Sequence, residues 1–179
     1  MQLLEKFTAA RQLKSGLEHA GKDPTSVVLD QIVSATEGVV EGRKTILAGT
    51  NNYLGLTFNP ECVAAGFAAS ETFGTGTTGS RMANGSYAAH GELEAELADF
   101  FQVPSAMVFS TGYAANLGVL TALLGKGDAV LLDSDAHASL YDGCNMSGAD
   151  IYRFKHNDVQ SLERRIARLG DRAGRCLIV

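Results

Sequence analysis

The residues best suited to chemistry stand in two short runs, Val108-Phe109-Ser110-Thr111-Gly112-Tyr113-Ala114-Ala115-Asn116 and, further on, Asp135-Ala136-His137-Ala138-Ser139. The first passes from apolar strand character through a small polar turn into a helix. Such a joint aims free backbone N–H groups and the positive end of a helix dipole at one point. That point suits a phosphate, and Gly112 lets the backbone approach it closely. Tyr113 can stack there or merely pack, and Asn116, one turn into the helix, can reach back. The second run reads as the end of the next strand. If the two strands are neighbours in a parallel sheet, His137 emerges on the same carboxyl edge as the phosphate point. An anion cradle beside an imidazole suggests a phosphorylated, flat cofactor. The plainer alternatives are a simple strand-to-helix joint and a structural histidine.

Two other segments stand out, Asn51-Asn52-Tyr53-Leu54-Gly55 and Gly79-Ser80-Arg81-Met82-Ala83-Asn84-Gly85. Adjacent asparagines usually make only a turn. Arg81 has the planar fork that binds a carboxylate or phosphate, and equally the means to form a structural ion pair. The stretch 74–85 has a linker-like composition but lies between well-formed elements, which favours a functional loop. His19, His90 and His156 read as surface or capping residues. Asp133 and Asp135 read as helix-capping acids, and Glu92 and Glu96, beside Glu94, as a solvated helix face. Lys126 and Lys155 sit in turn and strand-end contexts and are not promoted to a covalent role.

In this order the four segments resemble the α-oxoamine synthases, fold-type I pyridoxal-phosphate enzymes that condense an amino acid with an acyl-CoA thioester and release carbon dioxide. Within that family, Gly-Ser-Arg-Met-x-Asn-Gly followed by Phe-Ser-Thr-Gly-Tyr-x-Ala-Asn-Leu-Gly is most similar to the soluble bacterial serine palmitoyltransferases. The similarity runs over residues 3–169. It implies that pyridoxal 5'-phosphate is held by Ser110, Thr111, Gly112, Tyr113 and Asn116. It also implies that His137 stacks on the pyridine ring and helps hold the amino acid carboxylate, which makes His137 the catalytic candidate. Asn51, Asn52 and Tyr53 would line the pocket, and family members differ in which of the two asparagines makes the contact. The loop 74–85 would lie near a homodimer interface and the acyl entrance, which makes Ser80, Arg81 and Thr78 substrate candidates. The implied reaction joins L-serine to a long-chain acyl-CoA to give 3-ketosphinganine. The alternatives are an 8-amino-7-oxononanoate synthase, a glycine C-acetyltransferase, or a non-catalytic partner subunit. Schiff-base chemistry needs a lysine and an acid at the pyridine nitrogen. The family places both beyond Val179, so this chain is expected to be an inactive amino-terminal portion.

The positioning elements are expected as follows. Leu3, Leu4, Phe7, Ala10, Leu13 and Leu17 recur at helical spacing, which predicts one helix ending near Gly21. A hairpin is expected over 39–47 with its turn at 41–44, then a helix from Pro60 to about Phe73 capped by Asn59. From Ala88 onward helices and strands alternate: helix to about Gln102, strand 106–109, helix 112–124, strand 129–132, helix 138–147, strand 151–154, helix 158–169 started by Asn157, and a strand from Cys176. This α/β pattern predicts a mostly parallel sheet covered by helices, the first part of an aminotransferase-like large domain, incomplete at its carboxyl end. Residues 1–50 would form an arm and 51–179 the start of that domain.

Composition narrows the class. The 179 residues carry a net charge of −5 and no basic footprint, which excludes a typical nucleic-acid surface. The basic residues Arg164, Arg165 and Arg168 fit a solvated helix face. The three cysteines, Cys62, Cys144 and Cys176, lack metal-ligand spacing and read as reduced core thiols of a cytoplasmic protein. No apolar run approaches a membrane span. Gly74-Thr75-Gly76-Thr77-Thr78-Gly79 fits the bare spacing of a dinucleotide fingerprint but follows a predicted helix, and that context rejects it.

Overall fold

The computed structural model describes residues 2–21, 23, 25 and 27–179, arranged as two compact units, Met1–Thr78 and Gly79–Val179. In the first unit the expected single helix is two, α1 (Gln2–Glu5) and α2 (Thr8–His19). The break falls at Lys6 and Phe7, where Phe7 N–H donates to Leu4 O at 3.1 Å and the Thr8 hydroxyl turns back to Glu5 O at 2.7 Å. These short bonds replace the helical ones that would have carried the chain straight on. Three antiparallel strands follow in spatial order, β1 (Leu29–Ile32), β2 (Glu37–Val40) and β3 (Arg43–Ile46). The β2–β3 hairpin turns at Glu41 and Gly42, both at positive φ (49° and 72°), as a tight hairpin requires. Strand β1 was not anticipated: it is exposed along its length and bulged between Leu29 and Gln31, so it lacks the alternation that marks a half-buried strand. Helix α3 (Pro60–Phe73) is capped as expected, Asn59 Oδ1 accepting the Glu61 and Cys62 N–H groups at 2.9 and 3.0 Å.

The second unit is an α/β layer structure. It runs α4 (Ala88–Phe100), α5 (Gly112–Leu123), β4 (Ala129–Asp133), α6 (Ala138–Ser147), β5 (Asp150–Phe154), α7 (Val159–Leu169), a 3-10 turn (Gly170–Arg175) and β6 (Cys176–Ile178). The strands form a parallel sheet ordered β5-β4-β6, with Asp133 opposite Phe154 and Ala129 opposite Cys176. Central β4 is the core: Ala129, Val130, Leu131 and Leu132 are all fully buried. Val130 and Leu132 face Leu120, Leu124 and Cys144 of the α5–α6 layer, while α7 packs on β4 and β5. A strand buried on both faces is what a parallel sheet covered by helices demands.

Two local expectations change. Residues 106–109 pair with no strand among the described residues; Val108 instead bonds side chains, its N–H going to Glu94 and its carbonyl accepting from Arg81. Helix α7 is started by Asp158, whose carboxylate accepts Ser161 N–H at 2.8 Å, while Asn157 takes a left-handed turn at φ 53°. Of the cysteines, Cys144 is buried, Cys176 half-buried and Cys62 exposed, so Cys62 is no core thiol of this chain. No helix among the described residues is long and apolar enough to cross a membrane.

Candidate active site

The start of α5 is built by Thr111. Its backbone is extended (φ −147°, ψ 153°) and its Oγ1 accepts Ala114 N–H at 3.0 Å, so the helix begins at Gly112. The first N–H groups of the helix, on Gly112 and Tyr113, have no acceptor among the described residues. A Cβ placed on Gly112 would meet nothing within 4 Å, so the space before these donors is open. Ser110, Thr111, Gly112 and Tyr113 are all exposed. Free donors, an open approach and a 12-residue helix dipole together fit a phosphate dianion.

His137 lies at the carboxyl edge of β4, as expected, and caps α6 through its own ring: Nδ1 accepts Ser139 N–H at 3.2 Å and lies 2.7 Å from Ser139 Oγ. The expectation that Asp133 or Asp135 caps this helix is therefore replaced. Asp133 accepts Asp135 N–H at 2.8 Å and faces His156 Nδ1 at 3.0 Å, and the Asp135 bond first, then His156, holds its carboxyl below the usual range. His156 is thus a partner of the strand-end acid rather than an idle surface residue. The Tyr141 hydroxyl, donating to Ser134 O at 2.9 Å, further braces the loop that presents His137.

Two bonds tie α5 to α6, the first of them to Ser139, the partner of His137. Asn116 Nδ2 donates to Ser139 Oγ at 2.8 Å, and the Tyr113 hydroxyl donates to Asp142 Oδ2 at 2.6 Å, a bond that pushes the phenol's pKa up. The helices approach closely because position 143 is glycine: a Cβ there would meet Leu120 Cδ1 at 2.8 Å, Leu120 Cβ at 3.1 Å and Asn116 O at 3.3 Å. Tyr113, Asn116 and His137 are therefore gathered in one place, with Ser139, Asp142 and Gly143 as members the sequence reading passed over.

Residues 43–179 match the model of the family described as "Aminotransferase class I and II". The chain belongs to this family. A serine palmitoyltransferase from Caulobacter vibrioides is 53% identical over 179 residues, all of this chain but only 44% of that protein. An 8-amino-7-oxononanoate synthase from Geobacter sulfurreducens is 46% identical over 141 residues, 79% of this chain and 36% of that protein. Among solved structures, a serine palmitoyltransferase variant from S. paucimobilis with a bound PLP–myriocin aldimine superposes with a TM-score of 0.89 at 50% identity, covering 93% of this chain and 42% of that one. The chain thus spans less than half the length of these relatives.

In this aminotransferase-family chain the other expected residues are placed as follows. Arg81 makes the structural ion pair: Nη2 reaches both Glu94 oxygens at 3.0 and 3.2 Å, and Nε donates to Ser86 Oγ at 3.0 Å. Glu94, to which the sequence reading assigned no role, is shared by Arg81 and Val108 N–H, and that backbone bond first, then Arg81, holds its carboxyl below the usual value. Ser80 O accepts the Ala83 and Gly85 N–H groups at 3.0 and 2.9 Å, closing the 79–85 loop on itself. Asn51, Asn52 and Tyr53 belong to the first unit. There Asn52 donates to Ala35 O at 3.3 Å and accepts Thr57 N–H at 3.4 Å, whereas Asn51 Oδ1 accepts the Tyr53 hydroxyl at 3.4 Å.

Proposed function

We propose that the protein carrying this chain is a pyridoxal-phosphate-dependent acyltransferase that condenses L-serine with a long-chain acyl-CoA, losing carbon dioxide, to give 3-ketosphinganine. The observation that carries the reading is the open amino end of α5, with unpaired N–H groups on Gly112 and Tyr113, joined through Asn116 and Ser139 to His137. Identity to a serine palmitoyltransferase over all of this chain, higher and longer than to the 8-amino-7-oxononanoate synthase, supports serine over alanine as the amino acid.

In this reading the Gly112 and Tyr113 N–H groups, with Ser110 and Thr111, hold the cofactor phosphate against the helix dipole. Asn116 ties that cradle to the His137 loop. The cofactor, when bound, supplies an electron sink for charge developing at the amino acid's α-carbon. His137 would face the pyridine ring with its imidazole and offer an N–H to the amino acid carboxylate. Ser80 contributes to the acyl entrance. Arg81, its guanidinium held by Glu94, sets the shape of that loop. Residues 1–50 act as an arm and 51–179 as the start of the large domain, in a cytoplasmic homodimer.

The test is turnover by the intact protein. Serine and palmitoyl-CoA should yield 3-ketosphinganine; turnover with only glycine or alanine would overturn the serine assignment.

A further inference from the structure

The polar atoms behind His137 determine which of its ring nitrogens carries the proton. Ser139 is fully buried, and its backbone N–H donates to His137 Nδ1, which requires a bare lone pair on that nitrogen. The Asn116 amide donates to Ser139 Oγ at 2.8 Å, so the serine's own proton is left to point elsewhere. The other partner of Oγ among the described residues is the same Nδ1, 2.7 Å away. Were Nδ1 protonated instead, both the buried Ser139 N–H and the hydroxyl proton would lose their acceptor, at the cost of unsatisfied buried donors. The relay therefore runs one way, from Asn116 Nδ2–H to Ser139 Oγ–H to His137 Nδ1. It leaves Nε2 as the protonated nitrogen of the neutral ring, with no partner among the described residues.

We propose that Ser139 and Asn116 are positioning residues that lock His137 as its Nε2–H tautomer, so that the exposed ring presents a single donor matched to an anionic acceptor, the substrate carboxylate. The proposal rests on the reading of His137 as a ligand contact. Asn116 thereby has two duties, one joining the phosphate cradle to α6 and one orienting the proton of Ser139. Neither residue touches the substrate. Their effect passes through the imidazole, as the partner of a histidine's second nitrogen commonly fixes its tautomer.

The test is nitrogen-15 long-range NMR of the intact, cofactor-free protein with labelled histidine, at a pH where the His137 ring is neutral. The wild type should show one tautomer, Nε2–H. Ser139→Ala keeps the backbone donor but loses Oγ, and should give a mixture. Asn116→Ala should shift the population less in the same direction, and Ser139→Cys, whose thiol donates weakly, should lie between wild type and Ser139→Ala. With cofactor bound, Ser139→Ala should raise KM for the amino acid about tenfold with a smaller change in kcat. A wild-type ring in the Nδ1–H form overturns the proposal, as do populations that neither alanine variant moves. Failure of the functional reading is separate: His137→Ala with wild-type cofactor and amino acid binding would remove His137 from the site without altering the tautomer result.

Discussion

Glu94 holds two distant parts of the second unit with one carboxylate: its Oε1 accepts both Arg81 Nη2–H and Val108 N–H, each at 3.0 Å. Arg81 belongs to the glycine-rich loop and Val108 to the segment leading into α5. The ion pair therefore fixes the loop against the segment that leads into α5.

Because the folded Glu94 carboxyl is held below its ordinary value, its stabilisation is complete above the unfolded value of about 4.3 and is lost as pH falls through the folded one. Glu94→Gln lacks this term. Thermal melts of the intact protein should show the variant less stable at neutral pH, with the gap to wild type narrowing as the pH drops below about 4. Asp133, depressed by its own bonds, should leave acid sensitivity in both proteins. A gap that stays constant as the pH falls well below that range would show that it does not come from the charged carboxylate.

Gly143→Ala should separate α5 from α6. A new Cβ would sit 3.1 Å from Leu120 Cβ, an atom with no torsional escape, so the helices themselves must move. Overpacking of this kind costs about 1–3 kcal/mol, against which the helix-propensity gain of about 1 kcal/mol is the smaller term. A denaturant titration should show net destabilisation; an unchanged or higher midpoint would mean that the layer yields easily.

Gly112→Val tests the cradle without disturbing the fold. A Cβ added at this exposed position meets nothing within 4 Å, so stability should change by less than about 0.5 kcal/mol. The approach to the free N–H groups would be obstructed, and pyridoxal phosphate affinity, followed by absorbance, should fall at least about tenfold. Wild-type affinity would put the phosphate somewhere else.

Cys144 is fully buried, and burial pushes its thiol's pKa up, so it should resist alkylation in the native protein at mildly alkaline pH and react only on unfolding. Mass-spectrometric mapping of labelled thiols across a denaturant series would report the opening of the α6–β4 core. Fast native labelling of Cys144 would contradict that packing.

Much of the site was legible because its signals are local. The strand-like run into Ser110-Thr111-Gly112 and the helix start after it lie within one short window, and so do Asn59-Pro60 and the position of His137 after β4. The roles of Arg81 and Glu94 were not legible, because an arginine in a glycine-rich loop looks the same whether it awaits a ligand or a carboxylate. Strand β1 escaped because its exposed residues carry no alternation, and 106–109 read as a strand because its apolar character is real although no ladder forms on it in this chain.

By itself, then, the order of residues determined the alternation of helices and strands from Gly112 onward, the cap of α3, the open start of α5 and the edge from which His137 emerges. These follow from hydrogen-bond satisfaction and periodicity over a few neighbouring residues. Only the tertiary structure decided where the polar side chains are spent: Arg81 on Glu94, 13 positions away, Asn116 on Ser139 and His156 on Asp133, each 23 positions away. Such pairings depend on how closely helices and strands approach, and here a missing Cβ at Gly143 sets that distance for α5 and α6. A side chain's chemistry is written in its type, but its partner is chosen by packing.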